Sequence, residues 1–191
     1  MRKNYLQNKN KRGFSIYETL IAIFILTYTV VGTLTIIQKS LSSSKFSRDQ
    51  VIASFLAQDA VEYIRNLRDN AFVASNTTNV PGVAPDPYIT IDWMSYISCG
   101  PSEICGVDTT ASINPIQVCS GSSCRLFFNS STGQYAYVTG AGWVASKFTR
   151  KFTIVDVPGS TIERELKVTV SWNAGPFNIQ QYQVIEHFVD W

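Results

Sequence analysis

A single carboxylate, that of Glu18, lies near the start of a segment that is otherwise apolar or weakly polar from Phe14 to Ile37. A carboxylate surrounded by hydrocarbon costs several kcal/mol, so a glutamate at this place needs a reason and a partner. Five basic residues and no acidic one precede the segment: Arg2, Lys3, Lys9, Lys11 and Arg12. Gly13 and Phe14 join the basic part to the apolar part, so we expect the chemistry of this chain at residues 13–18.

Four cysteines form two close pairs in the sequence, Cys99 with Cys105 and Cys119 with Cys124. An even number of cysteines outside the cytoplasm indicates disulfide bonds, and four cysteines allow three connectivities. Local pairing, which we favour, would close two small loops, whereas crossed pairing would join the two segments to each other. A zinc site is the other alternative, but the spacings are C-x5-C and C-x4-C rather than the shorter spacing typical of zinc-binding cysteines.

The chain contains no group of residues with a catalytic spacing. His187 is the sole histidine, and it falls in the last predicted strand, where a lone histidine is usually a surface residue. The patterns G-x-S-x-G and H-E-x-x-H are missing, and Asp86, Asp92 and Asp108 lack the spacing of a calcium-binding loop. We therefore expect no enzyme activity, no catalytic residue, no metal ion and no cofactor.

The apolar segment is long enough to span a membrane as a helix, because about 24 residues cross roughly 30 Å of hydrocarbon. The basic residues before it predict a cytoplasmic N-terminus and an extracytoplasmic remainder. Unlike a common secretory signal peptide, it has no small-residue cleavage site after the apolar run. An ordinary single-pass anchor is the alternative, but an anchor does not need Glu18 beside a Gly-Phe junction. We predict a leader at residues 1–13 and a transmembrane helix at 14–37.

Charge is concentrated in the leader. The chain has 16 basic and 14 acidic residues, for a formal net charge of +2. Because five basic residues precede residue 14, the rest of the chain has 11 basic and 14 acidic residues, a net charge of −3. Residues 14–191 therefore lack the strongly basic character of a nucleic-acid-binding domain, and we do not expect nucleic acid as the main partner.

Helical periodicity resumes after the membrane segment. Apolar residues recur at spacings of three and four and predict one apolar helix face: Val51, Ile52, Phe55, Leu56, Ala60, Val61, Tyr63, Ile64 and Leu67. The pairs Glu62/Arg65 and Arg65/Asp69 are predicted to lie on a solvated face. We predict that residues 38–73 continue the helix and pack on the head, with the weakest helical propensity at residues 42–44.

Residues 74–191 have the pattern of a β-rich head. Alternation predicts strands at 88–93, 147–157, 163–172 and 181–189, and a hairpin formed by 125–129 and 134–139. The cysteine region, 98–124, is rich in Ser, Gly and Pro and is predicted to be irregular. An antiparallel meander with one face available for burial needs a cover, and the apolar helix face is suited to provide it. The expected fold class is α+β, a long N-terminal helix on an antiparallel sheet.

The combination of a basic leader, Gly13, Phe14, Glu18 and an apolar helix resembles the type IV prepilin and pseudopilin family. The segment from Leu56 to Arg68 and the terminal sheet resemble minor pilins of the PilV/GspI kind. This resemblance implies a pilin-like fold, a long helix carrying a sheet-bearing head. It also implies that a prepilin peptidase cuts after Gly13 and that the new N-terminus, Phe14, is N-methylated.

The resemblance further implies that Glu18 pairs with the N-terminal amine of a neighbouring subunit during assembly, although Glu18 could instead only cap the helix end. The expected partners are the prepilin peptidase, other pilin subunits, the inner-membrane assembly platform, and membrane lipid around residues 14–37. The precursor would be a single-pass inner-membrane protein, and the mature chain would be in a pilus or at the cell surface.

Two departures from major pilins favour a minor subunit. Residues 14–37 contain no helix-loosening proline, so only Gly32 could loosen this part, and the cysteines lie in mid-chain rather than near the C-terminus. The alternatives left open are a pseudopilin of a type II secretion or DNA-uptake machine, and an adhesin head at a filament tip.

Overall fold

The computed structural model describes residues 13, 15–76, 93–100, 102–111, 115–120, 124–160, 162–175 and 178–189. The chain divides into two compact units, Met1–Phe46 and Ser47–Trp191. One α-helix, α1, spans Ile16–Asn76, and a short 3-10 turn spans Trp93–Tyr96. Residues 42–44, predicted to be the weakest helical stretch, lie within α1 and do not interrupt it.

The first unit contains the apolar part of α1. Among the described residues, α1 is the one helix long and apolar enough to cross a membrane, judged by length and composition. Its most apolar window of 18 residues has a mean hydropathy of 2.4, and none of that window is buried within the chain. This part of α1 is therefore compatible with a membrane anchor.

The second unit contains seven described strands in one antiparallel sheet. The strands are β1 (Cys105–Val107), β2 (Ile116–Val118), β3 (Arg125–Asn129), β4 (Gln134–Ala136), β5 (Trp143–Asp156), β6 (Glu163–Gly175) and β7 (Asn178–Val189). One edge of β5 pairs with β6, which pairs in turn with β7. The other edge of β5 pairs with β3 and with β1. β3 pairs in turn with β4, and β1 pairs with β2.

The helix covers one face of this sheet along its second half. Its buried residues are Ala53, Leu56, Ala57, Ala60, Val61, Ile64 and Ala71. Four of the seven are alanines, whose small side chains allow the helix backbone to approach the sheet closely. The facing residues of β6, from Leu166 to Trp172, alternate in burial as predicted, and Leu166, Val168 and Val170 are fully buried. The structure thus confirms the expected α+β, pilin-like fold class.

The predicted apolar helix face is only partly the buried one. Val51 and Phe55 are 53% and 65% exposed, because their positions turn away from the sheet while Ala53 and Ala57 face it. One of the two ion pairs predicted on the polar helix face, Arg65/Asp69, is also wrong, since Asp69 pairs with Arg68 rather than with Arg65.

The strand predictions hold for the hairpin of β3 and β4 and for β5, β6 and β7, with shifted ends. The cysteine region is more regular than predicted, because β1 and β2 pair within it. Of the predicted strand at 88–93, all but Trp93 lies outside the described residues, and Trp93 begins the 3-10 turn. Gly159, at φ 87°, allows the tight connection between β5 and β6 because glycine adopts positive φ without strain.

Candidate processing and assembly site, and the attachment of the helix to the head

The first turn of α1 contains the residues that the sequence singles out. The backbone N–H groups of Glu18 and Thr19 donate to the carbonyl of Ser15 at 3.0 and 3.2 Å, so the hydrogen bonds of the helix begin at the carbonyl of Ser15. Gly13 is exposed just before this turn, and Phe14 lies outside the described residues. The predicted cleavage position is therefore accessible on its glycine side.

Gly13 is not required by packing within the described chain. Among the residues that the structure describes, no atom lies within 4 Å of the position that a Cβ would occupy. A glycine that the fold does not need calls for a cause outside the fold. Close approach by another protein's backbone is such a cause, because glycine lacks the side chain that would obstruct it.

Glu18 is exposed in the first turn of α1. Among the residues that the structure describes, its carboxylate has no ion-pair or hydrogen-bond partner. A negative charge at this end of a helix is favoured by the positive end of the helix dipole, but that interaction is weaker than a direct ion pair. The Glu18 carboxylate is thus exposed on the first turn of α1 and can bind a partner outside the described residues.

The hydroxyl groups of the apolar segment are satisfied inside the helix. Five threonines donate to the carbonyl three residues earlier at 2.8–2.9 Å: Thr19, Thr27, Thr29, Thr33 and Thr35. Threonine hydroxyls in a helix commonly bond back to the backbone in this way. The threonines therefore do not bring unpaired hydroxyl donors into an apolar environment, and Glu18 is the one charged residue between residues 15 and 37.

The helix is attached to the head through a buried arginine. Arg150 of β5 is 1% exposed. Its Nη1 donates to the carbonyl of Leu56 at 3.1 Å and to Oδ2 of Asp59 at 2.7 Å, and its Nη2 donates to the carbonyl of Val107 at 2.6 Å. One guanidinium therefore joins α1, β5 and β1. The sequence analysis did not predict this role for Arg150. The signal that could have revealed it is the position of Arg150 between Phe148 and Phe152 in the alternating pattern of β5, which places the arginine on the buried face of that strand.

A buried carboxylate, that of Asp108, supports the same region. Asp108, which follows β1, accepts hydrogen bonds from the backbone N–H and hydroxyl of Thr110 and from the backbone N–H of Tyr137, at 2.7–3.0 Å. The Tyr137 hydroxyl donates to the carbonyl of Arg150 at 2.8 Å. Burial raises the pKa of Tyr137 above its usual value, an effect that the nearby Arg150 partly offsets. These bonds fix the loop after β1 against β5.

Two further ion pairs connect α1 with the sheet. Lys147 of β5 pairs with Asp49, whose side chain is 7% exposed. Arg65 pairs with Glu62 at 2.5 Å, as predicted for a helix face, but it also pairs with Glu186 of β7. Its contact with Glu186 is the first cause of the raised pKa of Arg65. The helix face predicted to be solvated thus partly serves to hold β7.

The cysteines form the local disulfides Cys99–Cys105 and Cys119–Cys124, the pairing favoured from the sequence. The first joins the segment after the 3-10 turn to β1, and the second joins the residue after β2 to the start of β3. Cys99, Cys105 and Glu103 lie close enough to share a metal ion, but both sulfur atoms are already bonded to each other. Glu103 instead accepts a hydrogen bond from the backbone N–H of Gly100 at 2.7 Å.

His187 lies on β7, and half of its side chain is exposed. Its Nδ1 is 2.9 Å from Oε1 of Glu163, and its Nε2 is 3.9 Å from Oε2 of Glu165. The side chains of both glutamates are also about one-third exposed, so the geometry is that of a surface contact between β6 and β7.

Comparisons with protein-family models, with curated proteins and with solved structures found no match to this chain. The class of protein is therefore defined here by architecture alone. It is an α+β protein with a long N-terminal helix, apolar in its first half, and an antiparallel sheet covered by the second half of that helix.

Proposed function

We propose that this chain is a structural subunit, a minor pilin, that is cut after Gly13 by a prepilin peptidase and is assembled into a type IV pilus-like filament or primes its assembly. The observation that carries the proposal is Glu18, an exposed carboxylate in the first turn of an apolar helix, without a partner in the part of the chain that the structure describes. The expendable glycine just before the helix supports the same function.

The proposed mechanism pairs two charges that are costly in hydrocarbon. Cleavage after Gly13 creates an α-amine on Phe14, which stays positively charged when it is N-methylated. As a subunit leaves the membrane, Glu18 would bind the amine of a neighbouring subunit, and the pair would fix the axial position of the two helices. Leaving one member of a buried pair uncompensated costs about 3–5 kcal/mol, enough to select correctly registered subunits.

The exposed apolar half of α1 also supports assembly. The most apolar part of this helix is not covered by its own chain, so lipid must cover it in the precursor, and helices of other subunits would cover it in a filament. Gly32 has nothing within 4 Å of a Cβ position, although glycine inside a helix costs about 1 kcal/mol relative to alanine. Close packing of a neighbouring helix, or local bending, would account for that glycine.

The test is the N-terminal mass of the protein recovered from its membrane and from the sheared surface fraction. We expect a chain that begins at N-methyl-Phe14 in both fractions. Glu18→Ala should be cut and inserted normally but be missing from the sheared fraction. Thr19→Ala is the matched control: it removes a methyl group and a hydroxyl that bonds to the carbonyl of Ile16 within the helix, but no charge, so it should assemble normally.

Each alternative outcome has a definite meaning. An intact Met1 or Arg2 start, with the peptidase active on other substrates, would contradict the proposal and leave a simple anchored ectodomain. A mature chain found only in the envelope would assign the chain to a pseudopilus of a secretion or DNA-uptake machine. Normal recovery of Glu18→Ala in sheared filaments would refute the pairing of Glu18 with an amine.

A further inference from the structure

A groove of about 490 Å³ lies beside α1, between the loop after β1 and the turn that joins β3 to β4. The residues that matter for its chemistry are Phe55, Asp59, Thr109, Gln134 and Tyr135. Its volume is within the range of pockets that hold small organic ligands, and it combines aromatic walls with a few polar groups, as such pockets do. All of these residues belong to the second unit.

The two aromatic side chains provide the apolar walls. Phe55 is 65% exposed although it belongs to a helix whose other face is buried. Tyr135 is held in place by ring contacts with Phe128 and Phe148, at centroid distances of 4.9 and 6.0 Å. One wall is therefore fixed by the sheet before any ligand arrives, and the other is presented by a rigid helix.

The polar side of the groove is also pre-oriented. Oδ2 of Asp59 accepts hydrogen bonds from Nη1 of the buried Arg150 and from the hydroxyl of Thr109, both at 2.7 Å. The carboxylate is still half exposed, and its Oδ1 has no partner among the described residues. This oxygen and the exposed amide of Gln134 can accept and donate hydrogen bonds to a ligand.

The charge of the groove favours a neutral ligand. Asp59 is the one charged side chain among the described residues that line it, and Arg150 already balances that charge. An anion would meet the carboxylate unfavourably, and a cation would compete with a guanidinium that is fixed by two further hydrogen bonds. Neutral hydroxyl groups can bond to Oδ1 without disturbing this pair.

We propose that the groove between Phe55 and Tyr135 binds a neutral saccharide. The C–H groups of a sugar ring carry a partial positive charge that suits the negative face of an aromatic ring, and its hydroxyls match Asp59 and Gln134. This activity goes beyond the proposed assembly function and does not depend on it, because all the residues involved lie in the second unit, outside residues 13–18. Saccharide binding would let a subunit attach the filament that contains it to a sugar-coated surface.

The test uses the full chain, purified in a detergent without a sugar headgroup, such as a dodecyl amine oxide. The probes are maltose, cellobiose and di-N-acetylchitobiose, and binding is measured by saturation-transfer NMR with titration. We expect at least one of the three to bind with a dissociation constant on the order of 1–10 mM. Phe55→Ala should weaken that binding about tenfold, since a stacked aromatic contact is lost.

Phe72→Ala is the matched control because Phe72 is a partly exposed phenylalanine of the same helix outside the groove, and it should bind as the unaltered chain does. Gln134→Ala, at an exposed position, should weaken binding about threefold to tenfold through the loss of its hydrogen bonds. Thermal unfolding of each variant verifies that the head is folded.

Three results would overturn the proposal: no binding of any of the three disaccharides, binding that is unchanged in Phe55→Ala, or dimerisation that depends on Phe55 without sugar binding. The last result would identify a second copy of the chain as the occupant. Because the assay uses unassembled protein, its outcome is independent of cleavage at Gly13 and of filament recovery.

Discussion

Replacing Arg150 by methionine tests whether one buried guanidinium holds the helix on the head. Methionine has a similar length and no polar group, so the change keeps most of the volume and removes the charge. The guanidinium makes hydrogen bonds to the carbonyls of Leu56 and Val107 and to the carboxylate of Asp59, at 2.6–3.1 Å. The substitution therefore removes contacts between α1, β5 and β1 at once.

The magnitude follows from these three bonds and from what each acceptor can do without them. Hydrogen bonds that involve a charged group contribute about 1.5–3 kcal/mol each, so their simple sum would exceed 4 kcal/mol. Asp59 is half exposed and can be hydrated, and the carbonyl of Leu56 lies within a helix, where it can keep its bond to the amide four residues on. We expect the free energy of unfolding of the head to fall by about 3 kcal/mol.

The assay is guanidinium unfolding of the full chain in detergent, followed by tryptophan fluorescence, with thermal melting as a second measure. A loss of 3 kcal/mol corresponds to a decrease in melting temperature of about 6–12 °C for a domain of this size. Asp59→Asn keeps an acceptor for Nη1 while it removes the charge, so it should cost less than Arg150→Met. Equal or greater stability of Arg150→Met would refute the reasoning, because apolar replacements of buried ion pairs are stabilising when the pair does not repay its desolvation.

Three further predictions concern the surroundings of that arginine. Gly106→Ala should destabilise the head by about 1–3 kcal/mol, because the added Cβ would lie 2.8 Å from both Cys124 Sγ and the Tyr137 hydroxyl oxygen. Gly32→Ala is the control, because no atom lies within 4 Å of its Cβ position. It should leave the unfolding midpoint of the head unchanged. Replacing both Cys119 and Cys124 by serine should lower the free energy of unfolding by about 2 kcal/mol, the loop-closure contribution of so short a loop, and an unchanged midpoint would contradict this. Burial raises the pKa of Tyr137 above its usual value near 10, so stability is retained below pH 10 and falls as the pH rises beyond it, when the unfolded tyrosine ionises first. Tyr137→Phe should cost about 1 kcal/mol at pH 7 and make the alkaline loss smaller, as measured by unfolding midpoints between pH 8 and 11.

The elements with a strong period could be predicted from the sequence. The apolar run before residue 38 and the helical period after residue 50 predicted a long helix, and α1 spans Ile16–Asn76. The alternation in the last third predicted β5, β6 and β7 because β5 and β6 each have one buried face and β7 has one face that is less exposed than the other. The prediction that the cysteine region is irregular was wrong, because β1 and β2 lie within it. Each of these strands has three residues, which is too short to show an alternation of apolar and polar residues.

The side of the helix that packs on the sheet was less predictable. Hydrophobicity alone placed Val51 and Phe55 on the buried face, yet both are more than half exposed, while Ala53 and Ala57 are fully buried. The orientation of the helix over the sheet decides this, because it turns positions 53 and 57 toward the sheet and positions 51 and 55 away from it. That orientation is a property of the packed layers and not of the helix sequence.

By itself the sequence determined the basic composition of residues 1–13, the Gly13–Phe14 junction, the position of Glu18 in the first helical turn, and the α+β class, since each depends on residue types at short spacing. Only the tertiary structure decided that the buried Arg150 pairs with Asp59 and that Phe55 and Tyr135 line one groove. Those contacts join residues far apart in the chain, and their energies depend on burial and on partners that local patterns do not specify.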